Sequence, residues 1–217
     1  MKNQRMSAGT VRRGALLAAI VIVAAGATAA TAGNGDLSNQ VAALKRQVKA
    51  LKAQNNRLTD QYTPAGIARQ LAKTKTALDK YQSVDTAKAD GYVAASPCES
   101  TPTNPAQTSY GGGMGIHYVN QALLKPGPID PAKPPILVYA PTAGGGLQLV
   151  AAEYFKPDAD QNVRTDDDRP SLFGRAFDGP MQGHAPGMPI HFDLHVWLWQ
   201  HNPSGIFASY NPDVTCP

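Results

Sequence analysis

The residues best able to do chemistry gather in residues 189–199, PIHFDLHVWLW. If this segment is a strand, its side chains alternate between two faces. Ile190, Phe192, Leu194, Val196 and Leu198 then make an apolar face fit for a core. His191, Asp193, His195, Trp197 and Trp199 make the other face. Two imidazoles, a carboxylate and two indoles form an unusual solvent surface and a candidate site. Strand residues i and i+4 lie ~13 Å apart, so His191 and His195 cannot share one ion unless the strand bends. Neighbours at i and i+2, ~6.6 Å apart, converge more easily, which favours pairing Asp193 with either histidine.

Further donors lie elsewhere. His117 follows the run Gly-Gly-Gly-Met-Gly-Ile, and Glu153 is the only acid in the apolar stretch 147–155. A carboxylate buried there must be paired, protonated or metal-bound. His117, Glu153, His191 and His195, with Asp193 as an additional donor, therefore form the candidate metal set. Imidazole and carboxylate suit Zn, Cu, Fe, Ni or Mn, so the expected cofactor is a divalent transition metal. Two other uses of these groups remain open: metal-free acid–base work, and plain scaffolding, with the histidines donating to backbone carbonyls and packing on aromatics. His184 sits in a Gly/Pro loop and is a weaker candidate, and His201 is expected to be structural. The chain has no HExxH, phosphate-loop or nucleophile-elbow motif. The glycine run 111–115 lacks the Lys-Ser/Thr of a phosphate loop and reads as a flexible turn. Asp158, Asp160 and Asn162 mimic the start of a calcium loop, but Val163 and Arg169 replace its Gly and Glu. The segment reads as a solvated acidic loop.

The elements that must position these residues are strands expected at 116–119, 136–139, 147–155 and 190–199, separated by Gly/Pro/Asp segments. Helical periodicity is confined to the part before them. Leu37, Val41, Leu44, Val48, Leu51, Asn55, Leu58 and Tyr62 alternate steps of four and three. Val41, Val48 and Asn55 fall at heptad a positions, and Leu44, Leu51 and Leu58 at d, which predicts a parallel homodimer through residues 36–62. A helix that folds back on its own chain is the alternative. Thr63 can cap a second helix with Pro64 at its first position, expected over 64–89 and ended by Gly91. The fold class is thus α+β: a signal segment at 1–32, a coiled-coil helix at 33–62, a second helix at 63–90, and a loop-rich, mainly antiparallel β domain at 91–217.

Residues 1–32 carry Lys2, Arg5, Arg12 and Arg13, then the apolar run 15–30, then Ala30-Thr31-Ala32. This order predicts a secretory signal cleaved after Ala32, with an uncleaved membrane anchor as the alternative. The chain has 20 Lys+Arg and 16 Asp+Glu. Without its four leader basics it is neutral, and it has no basic, aromatic-interleaved patch, so nucleic acid is excluded as a partner. The remaining charge is segregated: ten basic and five acidic residues over 36–90, six basic and eleven acidic over 91–217. A basic arm of this kind can contact anionic envelope polymers or lipid. Cys98 and Cys216, an even count in an exported chain, are expected to form a disulfide closing nearly the whole β domain.

The segments GMGIHYVN (113–120), EYF (153–155) and PIHFDLHVWLW (189–199), followed by Asn202-Pro203 and Cys216, resemble a family of secreted, mostly actinobacterial proteins of unknown function, over roughly residues 78–217. That resemblance implies export but no reaction. The reading is therefore an exported binding module with a His/Glu site for a metal or small ligand. The alternatives are a secreted enzyme using the same cluster and a structural envelope protein without a site.

Overall fold

The computed structural model describes residues 34–101, 111–125 and 127–217. The predicted signal segment lies outside the described residues. Among those described, no helix is long and apolar enough to cross a membrane. The chain divides into two compact units, one ending at Ala50 and one spanning Leu51–Pro217.

The first helix, α1 (Asn34–Gln61), is continuous through the heptad stripe. The turn after it is tight: a Cβ on Gly66 would lie 1.9 Å from the Asp60 carbonyl oxygen. Helix α2 (Pro64–Leu78) starts as the sequence predicts, with the Thr63 hydroxyl accepting from the Gly66 amide. It does not run unbroken to residue 89. A 3-10 turn takes over at Asp79–Gln82, and α3 (Val84–Ala89) starts afresh. The cause is local: the Ser83 hydroxyl caps the Thr86 amide, and Ser83 itself is extended. Gly91 lies just past the end of α3, at φ +92°.

The β domain is mainly antiparallel. Strands β1 (Val93–Ala94), β3 (Gly113–Val119), β4 (Ile136–Pro141), β5 (Leu147–Pro157), β9 (His191–Val196) and β8 (Asp178–Met181) lie side by side in the order β1-β3-β4-β5-β9-β8. Strand β2 (Glu99–Ser100) adds to β3, and β6 (Ser171–Leu172) with β7 (Arg175–Ala176) forms a separate ribbon. Val138 faces Ala151 whereas Tyr139 faces Leu149, which makes Val150 an extra, bulged residue on β5. The α+β class and the four expected strands are present.

The apolar face of β9 is as the alternation predicts. Phe192, Leu194 and Val196 join Leu137, Tyr139, Ala152 and Tyr154 in a core that buries Leu78, Tyr81 and Ala87 from the helical segment. Tyrosines in this core keep their hydroxyls satisfied: Tyr139 donates to the Tyr81 carbonyl at 2.6 Å and Tyr92 to the Pro134 carbonyl at 2.7 Å. The other face has a smaller apolar cluster including Val138, Ala151, Trp197 and Val214. Trp199 departs from the expected alternation. The strand ends at Val196, and Trp199 packs against the larger core with its indole donating to Asp79.

The glycine run is not a flexible turn. Gly113 and Gly115 belong to β3. A Cβ on Gly112 would sit 2.1 Å from the Asn211 carbonyl oxygen, and one on Gly115 2.6 Å from that of Tyr139. Both have positive φ, +79° and +113°. Glycine is required here because backbone from the C-terminal segment and from β4 presses against the strand. That same segment carries Cys216, which is disulfide-bonded to Cys98. The acidic loop uses its carboxylates locally: Asp158 and Asp160 both accept from the Asn162 amide, and Asp168 from the Ala159 amide.

Candidate metal centre

The sheet order brings together residues far apart in the chain. Glu153 on β5 pairs directly with His195 on β9. His117 on β3 pairs with Val138, and β4 separates it from β5. Val138, Ala151 and Ile136 line the same face, and none of them carries a polar group. His117 and Glu153 therefore reach over an apolar floor and meet. His117 Nε2 lies 3.2 Å from Glu153 Oε2, and His195 Nε2 lies 3.6 Å from the same oxygen. The two imidazoles are edge-on, with centroids 5.9 Å apart.

One donor atom from each of His117, Glu153 and His195 lies within 4.8 Å of the others, and all three residues are buried. Zinc–ligand distances of about 2.0–2.2 Å put tetrahedral donors about 3.3–3.6 Å apart. The two edges of this triangle that meet at Glu153 Oε2, 3.2 and 3.6 Å, lie close to that spacing. The donors are also poorly satisfied by protein. Among the described residues, Glu153 Oε2 and both ring nitrogens of His195 are buried without a hydrogen-bond partner. Buried polar atoms are ordinarily bonded, and leaving them unpaired is costly.

Burial and neighbouring charge split the protonation of the three groups. Burial pushes the Glu153 carboxyl up to about 7, although His117 pulls it back. Burial, with His117 nearby, pushes His195 down to about 3. Burial also opposes charge on His117, but Glu153 and Glu99 outweigh it and hold this imidazole above its ordinary value. His195 is thus a neutral ligand-ready ring near pH 7, and His117 faces the Glu153 carboxyl at 3.2 Å.

Of the four predicted donors, the fold brings three together and leaves His191 apart. Its Nδ1 donates to its own Pro189 carbonyl at 3.0 Å, and its ring stacks on Phe155 at 4.6 Å. Asp193 also falls outside the three-residue cluster. It is buried, with Oδ1 unpartnered among the described residues. Burial, Glu153 and Asp178 together raise its pKa well above the usual carboxylate value. His184 meets the edge of the His191 ring, and His201 serves through its backbone carbonyl, which accepts from Asn211.

Two neighbours of His117 escape a reading of the sequence. Glu99 Oε1 lies 3.4 Å from Nδ1, on the opposite side of the ring from Glu153. The Ser96 hydroxyl lies 3.1 Å from Nδ1 and accepts from the His117 amide. A carboxylate behind a metal-binding histidine fixes its orientation and raises its basicity. The one sequence signal for Glu99 is its place next to Cys98, since the disulfide must tie that segment to the domain. Glu99 also lines a cleft of about 740 Å³, together with Asp193, Asp178, Met114, Met181 and His184; the three donors themselves are not on its walls.

Comparison with known protein families, curated protein sequences and solved structures gives no match for this chain. The site's geometry is what the functional reading rests on.

Proposed function

We propose that this chain is an exported binding module whose β domain holds one divalent transition metal through His117, Glu153 and His195. One observation carries the proposal. Among the described residues, Glu153 Oε2 and both His195 nitrogens are buried without a hydrogen-bond partner, and a donor from each of the three residues lies within 4.8 Å of the others. A divalent cation would bind the inward-facing donors at once and offset the cost of burying the carboxylate. Two imidazoles and one carboxylate match the donor preferences of zinc and its first-row neighbours. The ordered basic, apolar and small-residue regions of residues 1–32 support export, and the Cys98–Cys216 bond fits an oxidising compartment.

Elemental analysis of the chain purified from metal-supplemented cells tests the metal. About one transition-metal ion per chain is expected, and a chain with none at equilibrium with added zinc would overturn the proposal. N-terminal sequencing of the recovered protein tests export, with Gly33 as the expected first residue.

An enzymatic reading is favoured by one feature. Three protein ligands leave a coordination position open, and Glu99, which lies 3.4 Å from His117, is on the wall of a cleft of about 740 Å³. Metal-dependent turnover of p-nitrophenyl acetate that disappears in His195→Ala would support it. No turnover by the zinc-loaded chain would leave the binding module as the function.

A further inference from the structure

The apolar stripe of α1 is a second functional surface, distinct from the metal centre. We infer that it is the seam of a parallel homodimer, formed with a second copy of this chain. Leu37, Val41, Leu44, Val48, Leu51, Leu58 and Tyr62 are each 42–62 % exposed. An exposed row of this kind is a surface on which a partner can act. Large apolar side chains in a continuous row on one helix are where a partner docks.

Three features select a second copy over other occupants. The first is the width of the stripe. Its large apolar residues keep to a and d positions, the narrow seam of a coiled coil, with only alanine among the apolar residues elsewhere, whereas helices that lie on membranes carry a wider apolar face. The second is Asn55, which replaces an apolar residue at an a position in mid-stripe. An amide is unfavourable against lipid, but across a two-stranded seam it can pair with its symmetry mate and fix register. The third is charge. The g positions are Gln40, Gln47, Gln54 and Gln61, and Lys45 and Lys52 stand at e. In a parallel, in-register dimer each of these lysines meets a glutamine of the partner, with no like-charge clash. An antiparallel pairing would set e against e and bring lysines together. Arg46, Lys49 and Arg57 fall at f, b and c, off the seam. The 28-residue helix gives a contact about 42 Å long.

The consequence is a bivalent molecule: two β domains, each with its own candidate site, on one stem. A dimer that presents two sites to a multivalent target gains avidity from effective concentration without any new contact.

The full chain, purified as expressed, is examined by sedimentation equilibrium and by cysteine cross-linking. The wild type is expected at twice the chain mass at micromolar concentration. Leu44→Glu should sediment as a monomer, with the urea midpoint of the β domain unchanged. Leu51→Cys, at a d position, should form a disulfide-linked dimer on oxidation, and Ala53→Cys, at the outward f position, should not. A monomeric wild type, or cross-linking of Ala53→Cys as efficient as that of Leu51→Cys, would overturn the proposal. So would a monomer that co-sediments with vesicles of phosphatidylglycerol and phosphatidylcholine, since the stripe would then serve a membrane.

Discussion

A carboxylate kept in an apolar site for a cation should be a burden when the cation is absent, and Glu153→Gln measures that burden. Burial raises the Glu153 pKa from an ordinary 4.5 to about 7. The folded state therefore holds this proton more tightly than the unfolded chain does. The penalty is absent below the unfolded pKa, grows as pH rises, and is complete above the folded pKa. A difference of about 2.5 pKa units corresponds to about 3 kcal/mol. Glutamine keeps the shape and cannot ionise. Its buried amide adds a fixed offset of about 1–3 kcal/mol that does not depend on pH. Urea unfolding of both proteins in chelator, at pH 4 and pH 8, separates the two effects. The stability of Glu153→Gln relative to wild type should improve by about 3 kcal/mol between these pH values. A change below about 1 kcal/mol would refute the reasoning, because Glu153 would then be solvated or fully paired.

Three further outcomes are expected. The Cys98–Cys216 bond joins residues 118 apart, so Cys98→Ser with Cys216→Ser should lose about 4–5 kcal/mol in denaturant unfolding if chain entropy dominates. Gly115→Ala places a methyl 2.6 Å from the Tyr139 carbonyl oxygen at φ +113°; it should cost about 3 kcal/mol or more in the same assay and loosen His117 two residues on. Glu99→Gln should weaken zinc binding by about 10–100-fold in competition titrations with a chromophoric chelator, since Glu99 orients His117; an unchanged affinity would remove it from the site.

Much of the site was legible in local pattern. The alternation in residues 189–199 separated Phe192, Leu194 and Val196 from His191, Asp193 and His195. Glu153 stood out as a lone acid in an apolar run, and two cysteines implied their bond. What local pattern cannot carry is the order of strands. His117 meets His195 because β4 and β5 lie between β3 and β9, and no spacing in the chain encodes that order. The same ignorance put His191 beside His195 in the candidate set. Strand rise alone separates them by ~13 Å, and the stack on Phe155 gives His191 a different task. The glycine run misled because a glycine in a turn and a glycine under a crossing backbone look alike in sequence. Only the closeness of Asn211 and Tyr139 distinguishes them. The break at Ser83 was readable in principle, as Ser is a strong N-cap, but the apolar spacing of Tyr81, Val84 and Ala87 hid it.

We propose that three residues, His117, Glu153 and His195, and not four, hold the metal. The most direct test of this proposal is calorimetric zinc titration of the wild type beside His117→Ala, Glu153→Gln, His195→Ala and His191→Ala. One zinc per chain is expected in the wild type. Binding should fall by at least about 100-fold in the first three variants and stay within about threefold in His191→Ala, which amounts to about 2.7 kcal/mol or more against under about 0.7. Zinc binding that survives His195→Ala, or that is lost equally with His191→Ala, would contradict it.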